Sequence, residues 1–121
     1  MLKASSSRSS QAGTNQISTM TADERNARLS QLSKGISHPM RLEIIRMLAK
    51  KPPEHPCFCG KIVEALPLAQ SSVSQHLKIL RETGWLEARP TGTNVQYCLV
   101  DGILDFYKTL MDAVIISGVK T

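Results

Sequence analysis

Aromatic side chains are scarce in this 121-residue chain, with one Trp, two Tyr and two Phe. A core must therefore be built from Leu, Ile, Val, Ala and Met, and the length suits a single domain. No stretch approaches the roughly 18 consecutive apolar residues of a membrane span. The first 19 residues carry no apolar run of the secretory type. The expectation is a cytoplasmic protein with no membrane partner. Cysteine is limited to three, an odd count that suits thiols or metal ligands better than a disulfide framework. Gly-rich phosphate loops, paired carboxylates and a Ser/His/Asp set are absent, and Cys57-Phe58-Cys59 is not the Cys-x-x-Cys of a thiol oxidoreductase. These absences argue against an enzyme. Acids are outnumbered as well: 10 Asp and Glu against 15 Lys and Arg give a formal charge of +5, which favours an acidic partner.

Residues 1–20 are rich in Ser, Thr, Gln and Asn and read as a disordered tail. Met20 stands directly before the first helix signal, which leaves both Met1 and Met20 open as the start. Thr21-Ala22-Asp23-Glu24 has the spacing of a capping box, followed by an apolar stripe of Leu29, Leu32 and Ile36. His38-Pro39 opens a second helix with Pro at its first position and His38 as N-cap. Its expected buried stripe is Leu42, Ile45 and Leu48, with Arg41, Glu43 and Arg46 facing water or DNA. Cys57-Phe58-Cys59 reads as a short extended stretch, and Lys61–Leu66 as a helix of under two turns stopped by Pro67. Ala69–Thr83 is a longer helix with Val73, Leu77 and Leu80 on its core face and Gly84 at the C′ position. Alternation then predicts a β-hairpin over 85–100 with a polar tip from Pro90 to Asn94. The last helix, 101–117, is apolar on much of its surface, which implies a partner, most simply a second copy.

Two helices joined by a tight turn and followed by a two-stranded ribbon describe a winged helix-turn-helix. The class is mainly α (α+β), with a two- to three-stranded wing and a dimer formed through the terminal helices. The domain spans 21–117, with the helix-turn-helix at about 60–83. The exposed face of its second helix presents Gln70, Ser71, Ser72, Ser74, Gln75, His76 and Lys78, short polar groups suited to base edges and phosphates. Arg89, Thr91 and Asn94 are the candidate DNA contacts of the wing, and Arg81, Arg41, Arg46 and Lys51 are further cations for phosphate anchoring.

Several of these motifs resemble the ArsR/SmtB-type metalloregulatory repressors. Ser37-His38-Pro39-Met40-Arg41-Leu42 is similar to the opening of that family's second helix. The segment from Leu66 to Leu77, closing on Ser74-Gln75-His76-Leu77, is similar to its recognition segment. Gly84-Trp85-Leu86 and Val95-Gln96-Tyr97 resemble the entry and exit of its wing, so the resemblance covers 21 to about 117. One departure is Ala69, where many relatives carry a Ser N-cap. The resemblance implies a homodimer that binds a palindromic double-stranded DNA operator, represses transcription and releases DNA when an effector binds.

The family's terminal-helix zinc site takes His and carboxylate ligands; the last helix here offers Asp101, Asp105 and Asp112 but no His, which argues against that site. Cys57 and Cys59 resemble the family's arsenic-sensing cysteine cluster, shifted by one residue and lacking its third thiol. In winged helices the short strand before the third helix commonly pairs with the second wing strand. Residues i and i+2 of a strand share a face about 6.6 Å apart, so Cys57 and Cys59 can face Cys98. Three thiolates suit As(III) or Sb(III), and His55 as a fourth ligand admits Zn(II), Cd(II) or Pb(II). No cofactor is otherwise required. The expected function is a repressor released by a thiophilic effector, As(III) or Sb(III). The open alternatives are Cd/Pb/Zn sensing, reversible thiol oxidation, small buried cysteines with no sensing role, and a winged helix that binds only protein.

Overall fold

The computed structural model describes residues 17–50 and 57–116, and for 57–60 and 63 the backbone alone. The helices are α1 (Ala22–Gly35), α2 (Pro39–Lys50), α3 (Cys59–Ala65), α4 (Gln70–Glu82) and α5 (Ile103–Met111), which widens into a π-helical turn at Asp112–Ile116. The strands are β1 (Cys57–Phe58), β2 (Leu86–Thr91) and β3 (Asn94–Leu99). The chain forms two compact units, one of Lys34–Val100 and one of the residues before Lys34 and after Val100.

In the second of these, the capping box closes as its spacing predicts. The Thr21 amide donates to Glu24 Oε1 at 2.8 Å, and the Glu24 amide donates to Thr21 Oγ1 at 3.1 Å. Helical structure also extends earlier than expected: residues 17–19 are helical, Ile17 is buried, and its carbonyl accepts from Arg25 Nε at 2.9 Å. The tail expected over 1–20 is therefore ordered from 17 onward, because one apolar side chain and one capped carbonyl tie it to α1. The remainder of that tail lies outside the described residues. The Ser33 and Tyr107 hydroxyls are 2.8 Å apart, and the Arg28 guanidinium lies 5.7 Å from the Phe106 ring centre. Helix α5 buries Ile103 and Leu110 but leaves Leu104, Met111 and Ile115 exposed. Their spacing of i, i+7 and i+11 makes one apolar stripe.

Within Lys34–Val100, His38 caps α2 as expected: the Met40 amide donates to His38 Nδ1 at 3.0 Å. The buried face of α2 differs from the expected one. Ile44, Ile45 and Leu48 are buried, whereas Leu42 is 50% exposed. Spacing from Arg41 through Ile44, Ile45 and Leu48 is i, i+3, i+4, i+7, so a cation occupies the first turn of the core-facing stripe. Sequence periodicity counts only apolar residues and passes over it. The core face of α4 is as expected, with Val73, Leu77 and Leu80 all buried.

Helix α4 ends in a Schellman motif. The Trp85 amide donates to the Leu80 carbonyl at 2.9 Å and the Gly84 amide to Arg81 at 3.2 Å. Gly84 takes the left-handed φ of 100° that this motif needs. Trp85, 2% exposed, then supplies the apolar contact at the start of the hairpin. Strands β2 and β3 pair from Leu86↔Leu99 to Thr91↔Asn94, so only Gly92 and Thr93 form the turn. Pro90 belongs to β2 rather than to the tip. It is tolerated there because β2 is an edge strand in the order β1-β3-β2, where its missing N–H breaks no ladder.

Gly35, at the end of α1, lies against this junction. A Cβ on it would sit 2.3 Å from Thr83 Oγ1 and 2.7 Å from Trp85 Cδ1. Thr83 cannot yield easily, since its hydroxyl donates to the Ile79 carbonyl at 2.7 Å. In an exposed helix Gly→Ala stabilises by roughly 0.5–1 kcal/mol. Here Gly35→Ala is expected to destabilise by about 1–3 kcal/mol through overpacking. Urea denaturation checks the sign: the midpoint falls.

Candidate nucleic-acid interface

Helix α3, seven residues long, is followed by a turn over 66–69 and then by α4. Leu66 is buried and anchors the turn, while Pro67 keeps α3 from continuing into it. Ala69 is the N-cap of α4, in extended geometry with φ −69° and ψ 155°, and it makes no side-chain capping bond. The departure noted at this position is real: the cap geometry is present and the capping acceptor is not.

Gln70, Ser71, Ser72, Ser74, Gln75 and Lys78 are all exposed on α4, as the sequence predicts. With Val73, Leu77 and Leu80 inward, Ser71, Gln75 and Lys78 stand nearest the outward centre of the helix. His76 does not share that face. It is half-buried on the flank, its ring centre 4.5 Å from that of His38 and its Nδ1 3.3 Å from Arg41 Nη1. Burial first, then His38, then Arg41 lower its pKa from the ordinary 6.5.

The candidate phosphate anchors separate into two groups. Lys78 and Arg81 are exposed and form no ion pair among the described residues. Arg46 is held by Glu43 on its own helix, and Arg89 by Glu87, whose carboxylate accepts from Nη2 at 2.7 Å. Each pairing raises the arginine's pKa and leaves less net charge for DNA. Arg41 does not stand free on the surface as expected but is half-buried. It donates from Nε to the Gly35 carbonyl at 2.6 Å and from Nη1 to His76. Its core-facing place on α2, adjacent to the end of α1, accounts for this. Lys51 lies outside the described residues. Lys61, exposed on α3, is a cation the sequence reading did not single out. Thr91 and Asn94 are exposed at the wing tip as the final ladder pair.

The cysteines fall partly as expected. Strand β1 pairs with β3, but Cys57 stands opposite Tyr97, and Cys98 is paired across β2–β3 with Glu87. The strand is two residues long and Cys59 opens α3, so the expectation that Cys57 and Cys59 share one strand face does not hold. A helix start at Cys59 replaces the extended geometry that the i, i+2 argument needs. The register does not set Cys98 opposite Cys57. Cys98 itself is a half-buried free thiol. His55 lies outside the described residues.

This order of a helix-turn-helix, an exposed polar helix and a wing has counterparts among known proteins. Residues 38–87 match the family described as bacterial regulatory protein, arsR family. An HTH-type transcriptional regulator of Methanocaldococcus jannaschii, MJ1325, is 35% identical over 78 residues, 64% of this chain and 84% of that protein. The chain belongs to the ArsR family. A transcriptional repressor SmtB homolog of Synechocystis is 28% identical over 98 residues, 80% of this chain and 70% of that protein. The solved homodimeric winged helix-turn-helix DNA-binding domain Mb0332 of Mycobacterium bovis has a TM-score of 0.56 at 21% identity, covering 76% of this chain and 80% of its own. As an ArsR-family protein, this chain is a mainly α winged helix-turn-helix transcriptional regulator of the DNA-binding type and not an enzyme. No helix among the described residues is long and apolar enough to cross a membrane.

The ArsR fold makes one local prediction. Ala69→Ser adds an acceptor for the Ser71 or Ser72 amide in a backbone already shaped for it, and should stabilise by about 1 kcal/mol. A rise in the thermal midpoint, with a far-UV spectrum unchanged, is the expected measurement.

Proposed function

We propose that this protein is a homodimeric transcriptional repressor that binds a palindromic double-stranded DNA operator through α4 and the wing, and leaves it when a thiophilic effector binds. Lys78, Arg81 and Lys61 supply the phosphate contacts. Ser71, Ser72 and Gln75 read base edges in the major groove, and Thr91 and Asn94 meet the adjacent backbone. The exposed stripe of Leu104, Met111 and Ile115 supports the homodimer, as does the homodimeric state of the structurally similar Mb0332 domain.

The effector class is read from the cysteines. One observation carries it: the chain passes through Cys57, hydrogen-bonded into the wing's sheet, directly to Cys59, the first residue of the helix-turn-helix. A soft ion drawing these two thiolates together would act on the junction between both DNA-reading elements. Two thiolates, with a small exogenous thiol as the third, fit As(III) or Sb(III). His55 joining them would favour Cd(II), Pb(II) or Zn(II). Coupling of about 1–3 kcal/mol between effector and DNA changes operator affinity roughly 5- to 150-fold.

Titrating arsenite, Cd(II), Zn(II) and peroxide into a gel-shift assay tests this. Arsenite is expected to release the DNA from the natural chain, and Cys57→Ala and Cys59→Ala are expected to bind DNA but no longer release it. Release that persists in both variants contradicts the assignment. For the dimer, Ile115→Lys is expected to shift sedimentation toward monomer and weaken operator binding, since a buried charge has no partner in an apolar interface.

A further inference from the structure

The Arg41 side chain bridges three places in the chain. Its Nε donates to the Gly35 carbonyl at 2.6 Å and its Nη2 approaches the Lys34 carbonyl at 3.5 Å, so the last turn of α1 holds the guanidinium plane. From that plane Nη1 reaches Nδ1 of His76 at 3.3 Å. A guanidinium can only donate, so Nδ1 must accept, and the imidazole proton must reside on Nε2. His38, whose own Nδ1 is occupied by the Met40 amide, packs against the same ring with centres 4.5 Å apart. His76 thus sits on the flank of α4 in one fixed tautomer. The flank of a helix lying in a major groove faces a phosphate strand rather than the base edges.

We propose that Arg41 is a positioning residue for DNA binding: it fixes His76 as the Nε2–H tautomer, which donates to a phosphate oxygen of the bound duplex. This rests on the reading of α4 as the DNA-binding helix, and adds that a residue with no DNA contact of its own prepares one of the contacts. The titratable groups acting on the ring are His38 and Arg41, both from the start of α2, and both disfavour its protonation. A protonated His76 would put an N–H against the Arg41 N–H, so the clamp exists only while the ring is neutral. The pH window follows from the lowered pKa. The clamp is intact above the ordinary imidazole range and is lost as pH falls through the depressed value.

Long-range 1H–15N correlation spectra of the full-length protein report the tautomer directly, without DNA. At about pH 7.5, His76 is expected as Nε2–H in the natural chain and as a mixture of tautomers in Arg41→Met. DNA affinity is expected to fall about 10-fold in Arg41→Met. Arg41→Lys should lose as much, because an ammonium cannot span the carbonyls and the imidazole together. If Arg41→Met does not fold, Arg41→Lys carries both measurements. In the natural chain the Nε2–H form of His76 should persist above the imidazole range and gain a second N–H, at Nδ1, as pH falls through the depressed value. An unchanged tautomer in the variants or full rescue by Arg41→Lys would overturn the proposal. A natural chain that shows the Nε2–H tautomer but binds no DNA overturns the phosphate contact through the functional reading, and leaves the clamp itself established.

Discussion

The close approach of Gly35 to Thr83 and Trp85 is the constraint on which the arrangement of the Lys34–Val100 unit depends. It lets the end of α1 meet the point where α4 stops and the hairpin begins, with no side chain to hold them apart. Three further features need that contact. Trp85 is buried there, the Schellman end of α4 is fixed there, and the Gly35 carbonyl is left in reach of Arg41. One glycine thereby links the end of α4, the wing that follows it and the arginine that holds His76. A Cβ at this position would press on Thr83 and Trp85.

Local signals were the most legible part of the sequence. The Thr21–Glu24 box, the His38-Pro39 helix start, the inward trio Val73, Leu77 and Leu80, and the Gly84 stop each depend on residues a few places apart. Their geometry is set by backbone hydrogen bonding that sequence spacing reports directly. Nonlocal features were not legible in the same way. Apolarity points Leu42 inward, yet the inward position of that helix turn belongs to Arg41, whose partners are the end of α1 and the flank of α4. Proline's habit of breaking ladders points Pro90 to a turn, a rule that does not bind on an edge strand. Continuity with Cys57 points Cys59 to a strand, whereas the chain turns into a helix between them.

The exposed face of α4 is polar and short-chained, with Lys78 the one cation near its centre. Among the described residues, Lys78 and Arg81 on α4 and Lys61 on α3 are exposed and in no ion pair, while Arg46 and Arg89 are held by acids of their own elements. On the proposed reading such a distribution divides the labour: a few cations would set affinity, and the Ser and Gln face would set register and base preference. The wing, with Thr91 and Asn94 at a two-residue tip, is short and compact enough to track one phosphate strand beside the groove. The cysteine pair stands where the sheet hands over to the helix-turn-helix, apart from the residues proposed to touch DNA. A ligand there can therefore act without competing for the same surface.

The account's central claim is that this polar helix, framed by a turn and a wing, binds duplex DNA mainly through phosphates and chooses sequence through its outward side chains. The most direct measurement is equilibrium binding of the full-length protein, across a range of salt, to a duplex selected from a randomised pool and to a mixed-sequence duplex. The account predicts that log K falls linearly with log salt on both duplexes, by about 0.9 per phosphate neutralised, with the selected duplex bound at least about 1,000-fold more tightly. Binding that is indifferent to salt, or equally tight on both duplexes, would contradict it.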